Sequence, residues 1–224
     1  MFHPRLDILP PPQRRLWDEL GVTPPNFVLY GGTALALRLG HRQSEDFDFF
    51  SGPDFSAEVL LREIPYLRGA RVDQFQPNTL TCSVNRNGDV KVSFFGGLDT
   101  LCRVQDPEPA GEVALPVASL LDVAAMKLHV IQQRAAYKDY FDLFTLFESG
   151  IELATALAAA TAVYGKSFNP MVSLKALTYF GDGDLERSSP AMRQRLARAA
   201  KDVDIHRLPT ISGKLGLAKG QHDG

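Results

Sequence analysis

The spacing of apolar positions in the first half of the chain predicts a sheet flanked by short helices. Short apolar runs that contain β-branched or aromatic residues, bounded by Gly, Pro, Asn or Asp, are typical of strands. Such runs occupy residues 27–30, 47–50, 70–75, 79–84 and 90–95. Helical spacing is found at about 12–20, 33–39 and 56–63. Asn87-Gly88 lies between the last two strands and predicts a hairpin turn.

The second half of the chain has a helical pattern. Apolar residues recur at helical spacing over about 117–134, 138–149, 151–164, 170–180 and 190–202. The stretch 106–111, which contains two prolines and a glycine, is typical of a linker. We therefore predict an α+β fold with a small mixed β-sheet and flanking helices in residues 1–112. A C-terminal helical bundle is predicted at 113–208, and residues 209–224 are predicted to be a flexible tail.

A glycine turn precedes the second predicted helix. Gly31-Gly32-Thr33 follows the run Val28-Leu29-Tyr30 and precedes a helix-forming hexad that Gly40 ends. The glycines permit a tight turn and a close approach of the backbone to a ligand. Thr33 is predicted to be the N-cap of the helix. Backbone N–H groups at a helix start can bind phosphate oxygens, so Gly31, Gly32 and Thr33 are candidate phosphate-binding residues.

Two carboxylates follow on the next predicted strand. Asp46-Phe47-Asp48 begins thirteen residues after Thr33. Since side chains alternate along a strand, Asp46 and Asp48 are predicted to share one face, with Phe47 and Phe49 on the other. Neighbouring carboxylates repel each other unless a cation lies between them, and such oxygen ligands suit Mg²⁺. A phosphate-binding turn before a metal-binding strand indicates phosphoryl or nucleotidyl transfer.

This order of Gly-Gly, a spacer of about a dozen residues and Asp-x-Asp resembles the nucleotidyltransferase signature of the polymerase-β-like superfamily. The resemblance implies a nucleotidyltransferase core in which Gly31, Gly32 and Thr33 bind the triphosphate of an NTP. It also implies that Asp46 and Asp48 are catalytic residues and ligands of Mg²⁺ or Mn²⁺.

A second segment narrows the resemblance to one family. Lys127 lies on a predicted helix, and Lys138-Asp139-Tyr140-Phe141-Asp142 begins the next one. Asp139 and Asp142 are three residues apart and share a helix face. A helical Lys followed by Asp-x-x-Asp-x-x-x-Leu, downstream of the first motif, resembles the AbiEii/AbiGii-type nucleotidyltransferases. Many of these are toxins of bacterial toxin–antitoxin or phage-abortive systems, and the resemblance covers roughly residues 25–185.

The family resemblance implies roles for this second segment. The helical region would pack across the mouth of the sheet, with Lys127 neutralising triphosphate charge and Asp139 or Asp142 approaching the metal or the attacking hydroxyl. These three are candidate catalytic residues. The resemblance also implies an RNA acceptor, particularly a tRNA 3′ end, and a cognate antitoxin protein. An alternative remains open from the residues alone: Lys127 is an ordinary exposed helix residue, and Lys138 pairs with Asp142 at i,i+4.

The position expected for a third metal-binding carboxylate holds Ser93. Either one of the two aspartates in the second segment supplies the missing group, or one metal suffices, or the protein binds nucleotide and turns over slowly. The family favours the first. Lys91, predicted on the same strand face as Ser93, is a further candidate for nucleotide binding, and an edge-strand lysine that discourages aggregation is the alternative. Arg38 and Arg42 are candidates to offset charge during the reaction.

Composition sets outer bounds on these interpretations. The chain of 224 residues is 45% hydrophobic and 22% charged, which is ordinary for a globular protein. No apolar run approaches membrane-spanning length and the N-terminus lacks a signal-peptide core, so we expect a cytoplasmic protein without a membrane partner. Cys82 and Cys102 are expected to be free thiols.

Charge is distributed unevenly. The net charge is −2, yet residues 187–219 carry eight basic and two acidic residues, a net of +6. Ser189-Pro190 predicts the start of a helix that carries much of this charge. Such a helix could follow an RNA backbone through non-specific, salt-sensitive contacts. A solvated amphipathic helix with a loose basic tail is the alternative.

The leading hypothesis is a Mg²⁺-dependent nucleotidyltransferase that transfers a nucleoside monophosphate from an NTP to RNA and acts as a toxin. The same chemistry on a protein or small-molecule hydroxyl is one alternative. A nucleotide-binding module without catalysis, suggested by Ser93, is another.

Overall fold

The computed structural model describes residues 1–219, in which the chain forms eight α-helices and nine strands. The helices are α1 (Pro11–Trp17), α2 (Gly31–Leu39), α3 (Ala57–Glu63), α4 (Leu120–Val130), α5 (Tyr137–Glu148), α6 (Leu153–Tyr164), α7 (Pro170–Ala176) and α8 (Pro190–Asp202). The strands are β1 (Val28–Tyr30), β2 (Asp46–Phe50), β3 (Arg71–Gln76), β4 (Thr79–Asn85), β5 (Asp89–Phe95), β6 (Cys102–Arg103), β7 (Glu108–Ala110), β8 (Leu115–Val117) and β9 (Lys214–Leu215). The predicted α+β class, with a mixed sheet and a helical region, is confirmed.

The chain divides into two compact units. The first comprises Met1–Cys102, Asp106–Ser119 and the segment from Leu215, and the second comprises Arg103–Gln105 and Leu120–Lys214. Within the described residues, no helix is both long enough and apolar enough to span a membrane.

The first unit is built on a seven-stranded sheet in the order β3-β4-β5-β2-β1-β8-β7. β2 pairs in parallel with β5 and antiparallel with β1, while β1 pairs in parallel with β8. β4 and β5 form the predicted hairpin, and Asn87 adopts the positive φ of 58° that this kind of turn requires. β2, which carries Asp46 and Asp48, and β5, which carries Ser93, therefore lie side by side near the middle of the sheet.

The sequence analysis missed β7 and β8. The stretch 106–111 was predicted to be a linker, but it contains β7, and residue 117 ends β8 and does not start a helix. Both strands have three residues and a proline, too short and too irregular to show alternation. Because β8 pairs with β1, the sheet of the first unit extends past residue 112.

Aromatic side chains fill the core of the first unit beneath β2 and β5. Phe47, Phe49 and Phe94 are each fully buried, and the rings of Phe49 and Phe94 stack with centroids 5.3 Å apart. Trp17 of α1 is 2% exposed and lies 6.5 Å from the ring of Phe47. This layer holds one face of β2 in the core and leaves its opposite face, with the aspartates, for other functions.

Part of the predicted tail makes regular contacts with the first unit. Residues 209–219, within the predicted tail, contain β9, and Leu217 is 4% exposed. The backbone N–H of Gly216 donates to the carbonyl of Leu101 at 2.9 Å. Gly220 and Gly224, which were also assigned to the tail, lie outside the described residues.

The second unit consists mainly of helices. α6 buries its alanine-rich face, and α8 begins as predicted, with the Ser189 hydroxyl accepting from the N–H of Met192 at 3.2 Å. α4 begins at Leu120 and α7 ends at Ala176, so both are shorter than the sequence predicted.

Arg38 links α2 to the strands at the β7 end of the sheet. Its guanidinium donates to the carbonyls of Ala118 at 3.1 Å and Val117 at 3.2 Å, and pairs with Glu108 at 2.7 Å. It also lies 4.0 Å from the ring centroid of Phe2. Because these structural contacts occupy Arg38, its suggested role in offsetting charge during the reaction is not supported.

We expect Arg38→Met to lower the free energy of unfolding by about 1–3 kcal/mol, since it leaves buried carbonyls without their donor. Urea denaturation followed by fluorescence reports on the first unit, because Trp17 is the single tryptophan of the chain. Arg62→Met, at an exposed position of α3, is the matched control. Equal midpoints for the two variants would contradict the assignment.

Candidate active site

Two glycines bring functional side chains against the start of α2. Gly31 has a φ of +76°, a conformation that favours glycine, and a Cβ there would lie 3.0 Å from Oδ2 of Asp48. A Cβ at Gly32 would lie 2.6 Å from Nη2 of Arg42 and 2.9 Å from Oγ of Ser44. The Asp48 carboxylate, the Arg42 guanidinium and the Ser44 hydroxyl therefore lie so close to this turn that a side chain on either glycine would crowd them.

Thr33 has a different role from the one predicted. α2 begins at Gly31, so Thr33 is its third residue and the N-cap position belongs to Tyr30. The Thr33 hydroxyl donates to the backbone carbonyl of Asp46, and the residue is 1% exposed. The prediction that Thr33 is the N-cap was wrong, because the helix begins at Gly31, three residues earlier than an N-cap at Thr33 requires. Thr33 instead ties the first turn of α2 to the first residue of β2.

β2 presents its two carboxylates as predicted. Asp46 and Asp48 are partly exposed on one face, while Phe47 and Phe49 are buried on the other. The antiparallel register with β1 places Asp48 opposite Tyr30, the residue before the glycine turn. This pairing brings the Asp48 carboxylate beside Gly31.

β5 supplies the neighbouring side chains. Its parallel register with β2 pairs Lys91 with Asp46 and Ser93 with Asp48. Ser93 is 1% exposed and accepts a hydrogen bond from the Thr81 hydroxyl at 3.4 Å. A neutral hydroxyl therefore lies beside Asp48, where a third carboxylate was expected. β5 lies between β4 and β2, so the alternative interpretation of Lys91 as an edge-strand lysine was wrong.

The aspartate pair fits one way of binding Mg²⁺. Among residues 1–219, no group of three or more His, Cys, Asp or Glu side chains is placed to hold a metal ion. Mg²⁺, however, is commonly bound through one or two carboxylates together with substrate phosphates and water. Asp46 and Asp48, beside a turn suited to phosphate, fit a cation that is bound together with a triphosphate.

Arg42 and Ser44 join the site through the loop between α2 and β2. Arg42 donates from Nη1 to the carbonyl of Gln43 at 2.9 Å, which holds its guanidinium beside Gly32. The sequence analysis named Arg42 only together with Arg38 and overlooked Ser44. Their positions four and two residues before Asp46 were the available signal, but only the fold shows that the loop returns to the glycine turn.

The second unit contains a buried ionic cluster. Lys127 of α4 pairs through Nζ with Asp139 Oδ1 and with Asp142 Oδ2, each at 2.7 Å. Lys127 is 4% exposed and both aspartates of α5 are fully buried. The alternative in which Lys127 is an ordinary exposed helix residue was therefore wrong. The catalytic roles of Lys127, Asp139 and Asp142 remain predictions.

Arg134 adds a second cation to this cluster. Its Nε donates to Asp139 Oδ2 at 2.8 Å. Burial by itself raises the pKa of Asp139, but the charges and hydrogen bonds of Lys127 and Arg134 outweigh burial and lower the pKa below its ordinary value of 3.8. Asp139 is therefore held as a carboxylate, with both oxygens bound to cations.

The basic helix α8 is largely engaged in contacts of its own. Arg195 pairs with Glu148 at 2.7 Å and Arg198 with Asp202 at 3.8 Å. Arg193 donates to the carbonyls of Ser188, Leu185 and Glu186. Exposed ion pairs of this kind contribute little to stability and exchange readily with other anions, so an RNA contact by this helix remains a hypothesis.

Comparisons with known proteins agree with the two motifs. A family model described as "Nucleotidyl transferase AbiEii toxin, Type IV TA system" matches residues 15–211. This range includes both segments on which the family resemblance rests, and the resemblance is confirmed. The chain is 33% identical over 160 residues to "Uncharacterized protein aq_aa25" of Aquifex aeolicus (strain VF5), covering 70% of this chain and 75% of that protein.

The fold is also found in a solved structure. The nucleotidyltransferase toxin MenT4 (Rv2826c) from Mycobacterium tuberculosis H37Rv superimposes with a TM-score of 0.60 and 18% identity, covering 86% of this chain and 84% of that one. A putative nucleotidyltransferase from H. pylori gives a TM-score of 0.45 and 20% identity, covering 84% of this chain and 90% of that one.

We expect Asp139→Asn to lower the free energy of unfolding at neutral pH by about 1.5–3 kcal/mol, the usual contribution of hydrogen bonds to charged groups. Because the native pKa of Asp139 is lowered, its charged form stabilises the fold above pH 3.8, and this contribution is lost as the pH falls through the native pKa. The difference from the wild type should therefore shrink in acid. Urea denaturation followed by far-ultraviolet circular dichroism across this pH range measures it.

Asp202→Asn, at an exposed position of α8, is the control for this measurement. A deficit in Asp139→Asn that is the same at neutral and acidic pH would show that the cluster does not hold Asp139 ionised.

Proposed function

Because this chain belongs to the AbiEii family of nucleotidyl transferase toxins, we propose that it transfers a nucleoside monophosphate from an NTP to an RNA hydroxyl. The chain is a nucleotidyltransferase, and its type IV toxin–antitoxin family implies an antitoxin partner. A tRNA 3′ end is the acceptor that we propose, and the cytoplasm is the place of the reaction. Modification of that end would stop translation, which accounts for toxicity.

One observation carries this proposal: the Asp48 carboxylate lies against the backbone of Gly31, with Asp46 on the same strand face. A phosphate bound by the first N–H groups of α2 would therefore lie beside both carboxylates. Arg42, next to Gly32, offers a guanidinium to the same phosphate. The backbone turn, the carboxylates and the arginine together suit a triphosphate.

The reaction that we propose is an in-line displacement at the α-phosphorus. The acceptor hydroxyl oxygen forms the new P–O bond while the bond to pyrophosphate breaks, and the hydroxyl proton leaves by way of a carboxylate on the β2 face. Gly31, Gly32 and Thr33 position the triphosphate, and Arg42 offsets the charge that develops on the leaving group. Lys91, beside Asp46, is placed to bind the same phosphates.

Asp46 and Asp48 are the residues that would hold Mg²⁺ or Mn²⁺, and such an ion would neutralise the charge of the triphosphate oxygens. Ser93 adds a hydroxyl but no charge to this set. Two carboxylates and the substrate phosphates would then complete the site, in the manner that Mg²⁺ commonly accepts.

Lys127, Asp139 and Asp142 are proposed to serve the same reaction from the second unit. A buried lysine bound to two carboxylates has a fixed position, which a flexible surface lysine lacks. A charge that is held in a fixed position can stabilise a charged transition state without a costly rearrangement of the protein.

Asp46→Asn and Asp48→Asn should each reduce transfer by at least about 100-fold, because each removes a charge from the proposed metal site. Transfer is measured from α-labelled NTPs, with Mg²⁺, to a mixture of total RNA and protein. Asp18→Asn, an exposed carboxylate on the same unit, controls for the loss of one negative charge. We expect label on a discrete RNA band with the wild type and the control only.

The location of the label separates the alternatives. Label that appears only on protein or a small molecule would overturn the RNA acceptor while keeping nucleotidyl transfer. If NTP binds and no acceptor is labelled, the site is a binding module. Full transfer by Asp48→Asn would refute the proposed chemistry.

Ser93→Asp should make the protein more dependent on Mg²⁺. A third carboxylate beside Asp48 adds like-charge repulsion, so we expect a lower melting temperature than wild type without the ion and a larger rise on its addition. Ser93→Asn, which is neutral and of equal size to the aspartate, is the control. An equal Mg²⁺-induced shift in the three proteins would place the metal elsewhere.

A further inference from the structure

The loop after α4 and the loop after α7 line a half-open cavity of about 200 Å³ in the second unit. Its lining includes Arg134, Gln133, Tyr140, Tyr179 and Asp182. For comparison, a protein cavity of about 150 Å³ holds a benzene ring, so this cavity can admit one flat aromatic group.

Close contacts hold the two loops around the cavity in place. Gly183 has a φ of +58°, and a Cβ there would lie 1.9 Å from the carbonyl oxygen of Ala135, so only glycine lets the two loops meet. The N–H of Tyr137 donates to Asp184 at 2.6 Å and joins the same two loops. The hydroxyl of Tyr140 donates to the carbonyl of Ala176 at 3.3 Å. The cavity is therefore a fixed feature of this unit.

An aromatic ring and a held guanidinium lie at this cavity. Tyr179 is 59% exposed, so its ring is accessible to a stacking partner. The Nε of Arg134 is held by Asp139, while the Arg134 side chain remains 56% exposed. Through Asp139, Arg134 is linked to Lys127 of the ionic cluster. An exposed ring and an oriented guanidinium are the groups with which proteins hold an unpaired nucleotide.

We propose that this cavity binds one unpaired nucleotide of the RNA acceptor, with its base stacked on Tyr179 and its phosphate held by Arg134. Asp182 would accept a hydrogen bond from an exocyclic amine of the base. The Asp182 carboxylate would repel the several negative charges of a triphosphate. A phosphodiester carries a single negative charge, which the guanidinium of Arg134 can balance. This inference rests on the proposed transfer to RNA and adds the place where the acceptor strand is held.

The test uses the full chain and a short fluorescent single-stranded RNA with a free 3′ hydroxyl. Stacking on an aromatic side chain corresponds to an approximately 5- to 150-fold change in affinity per base, so Tyr179→Ala should weaken RNA binding by that factor. It should raise the KM for RNA and leave the affinity for NTP unchanged. Tyr179→Phe keeps the ring and should bind as the wild type does. Phe75→Ala removes an exposed ring of β3 that does not line the cavity, and should have no effect.

Salt dependence tests the phosphate contact independently. Arg134→Gln should reduce the slope of log affinity against log salt by about 0.7, the value for one phosphate contact to a single strand. A melting curve recorded alongside shows whether the loss of the Asp139 contact unfolds the second unit. If it does, Arg134→Lys, which keeps the charge, should retain the wild-type slope.

The outcomes separate this inference from the proposed function. If the wild type labels RNA and Tyr179→Ala binds that RNA equally well, the cavity is not the acceptor site and the proposed function stands. If Tyr179→Ala loses affinity for NTP and keeps its affinity for RNA, the assignment to the acceptor is overturned. A wild type that neither binds nor labels RNA overturns both proposals.

Discussion

The close packing of the Asp48 carboxylate against the backbone of Gly31 is the constraint on which the candidate site depends. It requires a glycine at positive φ, an antiparallel pairing that sets Asp48 opposite Tyr30, and a strand whose other face is buried. The aromatic core beneath Phe47 and Phe49 meets the last requirement, because a slip by one residue would expose both rings and bury both aspartates. Core packing therefore fixes the position of the carboxylates.

A different constraint organises the second unit. Burying Asp139 and Asp142 is favourable only if their charges are paired, and removing one partner from such a cluster leaves an uncompensated charge. Lys127 forms ion pairs with both aspartates at 2.7 Å, and Arg134 pairs with the remaining oxygen of Asp139. Because Arg134 lies on the loop after α4, charge pairing also fixes that loop, which forms one wall of the cavity. The charge pairing that stabilises the cluster therefore also holds one wall of the cavity in place.

The sequence predicted the parts of this structure that depend on local pattern. Alternation placed Asp46 and Asp48 on one face of β2, and Asn87-Gly88 located the hairpin. What it could not predict depends on distant partners. Arg38 and Arg42 are four residues apart and look equivalent in sequence, yet Arg38 binds carbonyls at residues 117 and 118 while Arg42 meets Gly32. The burial of Lys127 depends in the same way on α5, and β8 is recognisable as a strand only through its pairing with β1.

Ser93 is consistent with a site that must be stable without its substrate. The Ser93 side chain is buried beside Asp48 and hydrogen-bonded to the Thr81 hydroxyl, so its surroundings suit a neutral group. A carboxylate there would be the third negative charge on two adjacent strands, and it would favour folding only when a cation is bound. With serine, the fold depends less on a cation, and in the proposed reaction the remaining charge would be balanced when the cation and the triphosphate bind together. The same neutral residue that removes a ligand from the proposed metal site therefore allows β2 and β5 to pair without like-charge repulsion at this register.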